Sequence, residues 1–455
     1  MNASFENWGR QGSASRPALP VDDLPPTLSK PESWLPFGNG RSYGDSCLNS
    51  GGTLVDSRRR NAILTFDGQT GELTAEAGTL LAEILDHVIP LGFFLPVTPG
   101  TALVTLGGAI ANDIHGKNHH RRGTFGCHVS ALTLRTAGGE VKTCSASRNA
   151  DLFHATLGGM GLTGIITSAT VRMMRVASPD IRQRTIRFDG LDRYFEMIDE
   201  IDAAHEYSVA WIDQLATGPR LGRGILMAGD HADEALPTSR RRRLSVPFAP
   251  PVNVLNRLTL QAFNELYFRK ASPGETIATV PWRSFFHPLD GIAHWNRLYG
   301  PRGLFQHQSV YPAEDAPETT ARLLDCARRY GHASFLTVLK RFGAVASPAV
   351  FSFPRPGFTL TLDFANQGQA TLKLLDALDE IVVKAGGAVN PYKDARMSAA
   401  TFAASFPHWT RLEAFREPAM MSDFWSRTAM RLDRPEMERP QTALFPAENR
   451  RIAQV

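Results

Sequence analysis

The sequence predicts an α+β chain of two globular domains, and three features carry that reading. Short runs of alternating apolar residues, separated by Gly-containing turns, fill the first 175 residues. Three glycine clusters recur between those runs, at 38–44, 107–108 and 158–164. From about residue 180 the strand-like runs lengthen and become rich in aromatics. At 455 residues the chain is long enough to bury a large core without disulfides or metal. Its formal charge of +4 is too small to argue for a nucleic-acid partner, and none is expected. Cys47, Cys127, Cys144 and Cys326 fall in no CxxC pair and read as free thiols of a reducing compartment. The opening "MNASFENWGRQGSASRPALP" lacks the basic and apolar regions of a signal peptide, and no apolar run reaches the ~20 residues of a membrane span. The expectation is a cytoplasmic protein that can still touch a membrane surface.

The elements follow in order. "LPFGNGRSYGDS", residues 35–46, is a turn in which main-chain N–H groups can converge on an anion, because glycine accepts positive φ and leaves room against the backbone. The alternative is a tight surface turn with no ligand. "GTLVD", "AILTFD" and "ELTAEAG" read as strands. Leu80, Leu81, Ile84, Leu85, Val88 and Ile89 then recur at helical spacing over 79–91, with Gly92 as the stop. Gly107 and Gly108 open a helix of small residues running toward His115, and "SALTLRTA" and "EVKTCSA" form a hairpin about Gly138 and Gly139. Gly158, Gly159, Gly161 and Gly164 lead into the β-branched strand "IITSATV". Glycine clusters alternating this regularly with strands imply a long ligand threaded between two small sheets.

In the second half, "YSVAWIDQ", "FFHPLDGIAHWNRLYG", "LFQHQSVYP", "ASFLTVLKRFG" and "FTLTLDFAN" read as strands of a second sheet, with helices near 317–330 and 368–385. In the segment 239–263, four arginines precede a Pro-rich apolar stretch, which reads either as a solvated loop or as a mobile lid touching an anionic membrane surface. No GxGxxG follows a strand into a helix, and GxxxxGK[ST] is absent, which argues against Rossmann and P-loop chemistry. "HGKNHH" places His115 and His119 four apart, yet no HExxH or third carboxylate accompanies them, so a polar loop is expected and no metal.

"PFGNGRSYGD", "PVTPGTALVTLGGAIANDIHGKNHHRRGTFG" and "LGGMGLTGIIT" resemble, in order and spacing, the FAD-binding (PCMH-type) domain of the vanillyl-alcohol-oxidase-like flavoproteins. Within that superfamily the chain is most similar to the decaprenylphosphoryl-β-D-ribose oxidase family, through "FHPLDGIAHWNRLYGP", "FPRPGFTLTLDF" and "GGAVNPYKDARMSAATF" to "RTAMRL". The resemblance implies a two-lobed PCMH-type FAD-binding domain over 1–175 and an antiparallel-sheet α+β substrate domain over 176–390 with a mobile loop at 230–275. A C-terminal segment, 391–455, would return to the FAD domain and carry the active-site lysine.

It also implies site residues. FAD would lie against Gly38, Asn39, Gly40, Arg41, Ser42, Tyr43, Gly100, Thr101, Thr105, Gly107, Gly108, Asn112, His115, Gly116, Asn118, Gly123, Gly161, Gly164 and Ile165. Relatives that bond the flavin often use a His where this chain has Arg41, so non-covalent FAD is expected. Lys393, with His115 and Lys117, would serve catalysis, and Trp211, Gln306, Gln308, Lys340 and Thr361 would bind substrate. Thr361 and Asn390 depart from the Cys and Tyr of actinobacterial members and alter the pocket wall.

The implied reaction is oxidation of the 2′-hydroxyl of a polyprenyl-phosphoryl pentose to the 2-keto sugar, the first half of an epimerisation to the arabinose form for cell-envelope polysaccharide. Its partners would be a short-chain NAD(P)H-dependent keto-reductase and, peripherally, the inner face of the plasma membrane. The alternatives are an FAD-dependent oxidase of free sugars or alditols and a flavin-fold binding protein without turnover.

Overall fold

The computed structural model describes residues 5–14, 18–237, 244–251 and 254–433; the arginine run at 240–243, residues 252–253 and the stretch 434–455 lie outside the described residues. The first lobe is built on two small sheets, beside a two-stranded ribbon of Phe93–Phe94 and Met174–Arg175. One is parallel, with Thr53–Asp56 between Leu19–Pro20 and Trp34–Phe37. The other is antiparallel, in the order Ile63–Phe66, Glu72–Glu76, Ile165–Arg172, Val129–Arg135, Val141–Ser145. The expected amphipathic helix runs Leu81–Val88 and buries Leu81, Ile84, Leu85 and Val88, and a 3₁₀ turn carries the chain to Gly92 at φ 81°. That φ lies in the left-handed region that glycine enters without strain, which ends the element there.

The small-residue helix is shorter than expected. It spans Leu106–Ala111, capped by the Thr105 hydroxyl, which accepts from Gly108 N at 3.2 Å. Asn112 ends it because Asp113 turns to φ 40°, its buried carboxylate accepting from Gly126 N (2.9 Å), Ser347 Oγ (2.5 Å) and Ser352 Oγ (2.6 Å). His115 therefore sits on a loop held between the lobes rather than on a helix.

The second lobe is built on one eight-stranded sheet, ordered Glu275–Val280, Ile181–Phe188, Gly224–His231, Tyr207–Ile212, Thr337–Phe342, Gly357–Ala365, Leu304–Tyr311, Ala388–Val389, with every pair antiparallel. The helices Leu191–Ala204, Ala316–Arg329 and Gln369–Lys384 pack against it and share its principal apolar core. His307 reaches Asp379 of the last of these helices at 3.2 Å, so Gln306 and Gln308, one residue to either side, point to the opposite face.

Two further stretches differ from the sequence reading. "FFHPLDGIAHWNRLYG" is no long strand; around it lie a helix, Trp282–Phe286, 3₁₀ turns at Pro288–Gly291 and Trp295–Tyr299, and a two-residue strand, Ile292–Ala293. Pro288 and Gly291 break the run, and Trp282 and Phe286 pack edge-on and tilted against Phe94 of the first lobe. The end of the expected loop at 239–263 belongs to a helix, Arg257–Lys270, whose Asn256 cap accepts from Leu258 N and Thr259 N. Only Leu260, Asn264 and Phe268 of that helix are buried, too thin a stripe to stand out in the sequence.

The C-terminal stretch packs on the first lobe. Trp34 exchanges main-chain hydrogen bonds with Ala419 and Met421, and Asp423 accepts from Ser50 N and Oγ.

Candidate active site

Between the glycine turns and the open face of the large sheet lies a cavity of about 1370 Å³. Ordinary small-molecule sites occupy about 300–1,000 Å³, so this one has room for a cofactor and a substrate together. One arm is walled by main chain. Among the described residues, the N–H groups of Gly38 through Tyr43 find no protein acceptor, although the segment lines the cavity. Gly40 stands at φ 59°, and a Cβ on Gly38 would meet Thr105 Oγ1 at 2.4 Å, so the turn is pressed onto the cap of the 106–111 helix. Arg41 stacks 4.4 Å over the Trp8 ring and leaves a buried Nε without a partner. Free amides beside an arginine make an anion cradle of the kind that holds a diphosphate. Gly100, Thr101, Gly107, Gly108, Gly161 and Gly164 line the same cavity.

The other arm is a cross-strand row. Trp211 pairs with Val338, Val338 with Thr361, and Thr361 with Gln308, so four side chains from four strands stand side by side on one face. Beyond Gln308 the hydrogen bonding has a fixed direction. Tyr392 N donates to Asn390 Oδ1 (3.0 Å), which leaves Asn390 Nδ2 to donate to Gln308 Oε1 (2.9 Å). Gln308 Nε2 then donates to Thr359 Oγ1 (3.0 Å) and to His115 Nε2 (3.2 Å). His115 thus carries its proton on Nδ1, 2.9 Å from Lys340 Nζ, and Lys340 donates onward to Gly116 O at 3.0 Å. This polarity requires an uncharged Lys340 amine. Burial, with Lys393 and Lys117 nearby, holds that lysine well below its ordinary value. The same burial holds His115 neutral, well below 6.5.

Lys393 lies 5.5 Å from the Tyr43 ring centroid. Burial lowers it to about 8, opposed by Asp363, whose own carboxyl burial raises to about 7. Asp363 Oδ1 accepts from Gln306 Nε2 at 2.5 Å, and Asp363 pairs with Gln306 across the strands on the cavity side of the sheet. Lys117 is lowered to about 7 by burial, donates to Phe285 O and lies 4.4 Å over the Phe285 ring. Among the described residues none of these three lysines forms an ion pair. The lysine loop is pinned from both sides. Arg427 bridges Asp45 (2.9 Å to each oxygen) and Asp394 Oδ1 (2.8 Å), and a Cβ on Gly44 would fall 1.8 Å from Asp394 O.

Most residues expected from the sequence line this one cavity, including Lys393, His115, Lys117, Trp211, Gln306, Gln308, Lys340 and Thr361. Three do not. Gly123 ends a short helix at φ 69° against Val345 and Cys127. Asn118 is buried, donating to Pro96 O and Glu206. Ile165 points into the core, and its neighbour Ile166 faces the cavity instead. His119 is also outside the cavity, against the Phe342 ring at 4.5 Å, with burial lowering its imidazole to about 3. The reading missed Trp8 and Asp363. Trp8 carried no signal, whereas Asp363 stands two residues beyond Thr361 on a strand, which places it on the same face.

Comparison with known proteins agrees with this geometry. Residues 29–145 match the FAD binding domain family. Decaprenylphosphoryl-β-D-ribose oxidase of Mycolicibacterium smegmatis is 37% identical over 404 residues, 84% of this chain and 85% of that protein. An uncharacterised protein of Streptomyces coelicolor is 35% identical over 358 residues, 74% of this chain and 94% of its own length. L-Gulonolactone oxidase of Bos taurus is 32% identical over 166 residues, 36% of each chain.

Proposed function

The chain belongs to the decaprenylphosphoryl-β-D-ribose oxidase family of FAD-dependent oxidoreductases acting on CH–OH groups, and from that premise we propose that it oxidises the 2′-hydroxyl of a polyprenyl-phosphoryl pentose to the 2-keto sugar. The observation that carries the reading is the cross-strand row ending at Gln308 and Asn390, which faces the glycine cradle and has Lys393 beside it. When bound, FAD supplies the acceptor for the hydride that leaves the sugar carbon.

The chain's own residues do the rest. Gly38 to Tyr43 and Arg41 would hold the diphosphate, without a covalent bond to the flavin at Arg41. Gln308, Gln306 and Thr361 would orient the sugar hydroxyls. Lys393 Nζ, uncharged in part near neutral pH, takes the hydroxyl proton, and the resulting ammonium is stabilised by Asp363. His115 donates from Nδ1 to Lys340 and accepts at Nε2 from Gln308, so it orients rather than abstracts.

The 2-keto product requires a reducing partner to complete an epimerisation toward cell-envelope arabinose, and a short-chain NAD(P)H-dependent keto-reductase fits that chemistry. Leu244, Phe248, Leu258 and Leu266 are exposed, which suits a cytoplasmic protein touching the inner face of the plasma membrane. Among the described residues no helix is long and apolar enough to cross a membrane.

The test is anaerobic mixing of the holoenzyme with prenyl-phosphoryl ribose, with free ribitol and arabinitol as controls. Bleaching of the oxidised flavin band by the lipid-linked sugar is expected. Bleaching by the free polyols alone would reassign the chain as an oxidase of free alditols, and no bleaching by any of them would leave a flavin-binding protein without this turnover.

A further inference from the structure

We propose that the sheet face sorts the substrate by polarity, with a phosphodiester seated between Lys117 and Lys340 and the first isoprene units lying on Val338 and Trp211. The inference rests on the lipid-linked substrate proposed above. Read across the strands, the row changes character: Gln308 and Thr361 are polar, Val338 and Trp211 apolar. Lys340 stands two residues from Val338 on the same strand, hence on the same face, at the boundary between the two halves. Lys117 faces the cavity there too, close enough that its charge acts on Lys340.

Lys117 lacks what a buried cation needs, and the uncharged Lys340 keeps a donor to spare. Among the described residues no carboxylate acts on the charge of either, whereas Asp363 acts on that of Lys393. Lys117 spends one N–H on Phe285 O. Lys340 gives one N–H to Gly116 O and turns its lone pair toward His115, which leaves its second N–H uncommitted. A phosphodiester supplies the missing negative charge for Lys117 and acceptor oxygens for both. Charge thereby separates the roles of the three lysines: Lys393 at the reacting hydroxyl, and the other two one anion away from it.

Past the lysines the surface stays apolar to the outside. Tyr267 meets Trp211 edge-on at 4.8 Å, and Phe263 stacks on Tyr267 at 5.8 Å with an interplanar angle of 11°. Phe263 is partly exposed, and Leu258 and Leu266 on the same helix are exposed at 78% and 71%. This aromatic ladder joins the cavity to the apolar surface from which a prenyl chain would enter.

The experiment measures binding to the holoenzyme by perturbation of the flavin spectrum, using farnesyl phosphate, farnesol and inorganic phosphate, so that it does not depend on turnover. Farnesyl phosphate is expected to bind more tightly than either of the others. Lys117→Gln is expected to weaken it by roughly 10- to 100-fold, the weight of one charge-assisted hydrogen bond, with farnesol affinity and FAD content unchanged. Trp211→Ala is expected to weaken both prenyl ligands. In the wild type, affinity for farnesyl phosphate should fall as pH rises above about 7, because bound anion requires Lys117 protonated. Lys340→Gln serves as the second variant should Lys117→Gln fail to retain FAD. The proposal is overturned if wild-type protein prefers farnesol, if the lysine variant weakens farnesyl phosphate and farnesol equally, or if it changes neither. A seat that holds while prenyl-phosphoryl ribose fails to bleach the flavin would refute the proposed reaction and leave the seat standing.

Discussion

At the scale of single residues, the site depends on which buried groups hold protons. Lys393 accepts a proton only when uncharged, so kcat/KM for flavin reduction should rise with pH through about 8. Asp363 favours the charged lysine. Asp363→Asn should therefore move that rise to lower pH while FAD stays bound, and stopped-flow reduction across a pH series reads the shift. An unmoved profile would mean that Lys393 is not the titrating group. Lys393→Met should slow reduction by about 10²- to 10⁴-fold, the usual weight of a positioned base, with the flavin retained. The tautomer of His115 is set at a distance, by one main-chain N–H at Tyr392 acting through two amides.

At the scale of elements, the segment after Lys393 and the turn after Tyr43 are held together by the C-terminal helix Asp423–Arg427. Arg427 satisfies two carboxylates at once, and its removal leaves Asp45 and Asp394 facing each other partly buried. Arg427→Ala should cost about 3–5 kcal/mol, the range for breaking a buried pair from one side. It should also loosen the lysine loop. Urea unfolding of the holoprotein measures the first, and a lower rate of flavin reduction in the protein that still folds measures the second. A loss below about 1 kcal/mol would place the bridge among ordinary surface pairs.

At the scale of the whole molecule, buried imidazoles contribute to the acid limit, His119 and His287 among them. Burial lowers both His119 and His287 from 6.5 to about 3. The unfolded chain binds their protons first, so the stability they carry is present above pH 6.5 and is lost as pH falls toward 3, by about 1.4 kcal/mol per pH unit for each group. His119→Phe, which keeps the ring packed on Phe342, should flatten the pH dependence of urea unfolding over that window. The cofactor should leave with the fold: acid precipitation is expected to give a colourless pellet and yellow supernatant, and a pellet that stays yellow would mean a covalent bond.

Local patterns determined much of this protein without any structure. Glycines at 38–44, 107–108 and 158–164 mark close backbone approach, because a residue without Cβ leaves room against the main chain. Apolar spacing fixed the 81–88 helix, and alternation located the strands that carry Trp211, Gln308, Lys340 and Thr361. The tertiary structure alone decided which of those strands are neighbours, and so which side chains form one row. Sheet order and register come from packing between residues far apart in sequence, on which local pattern is silent. For the same reason Trp8 and the Arg427 bridge became visible only when the chain closed around the cavity, whereas Asp363 was legible from its place two residues beyond Thr361.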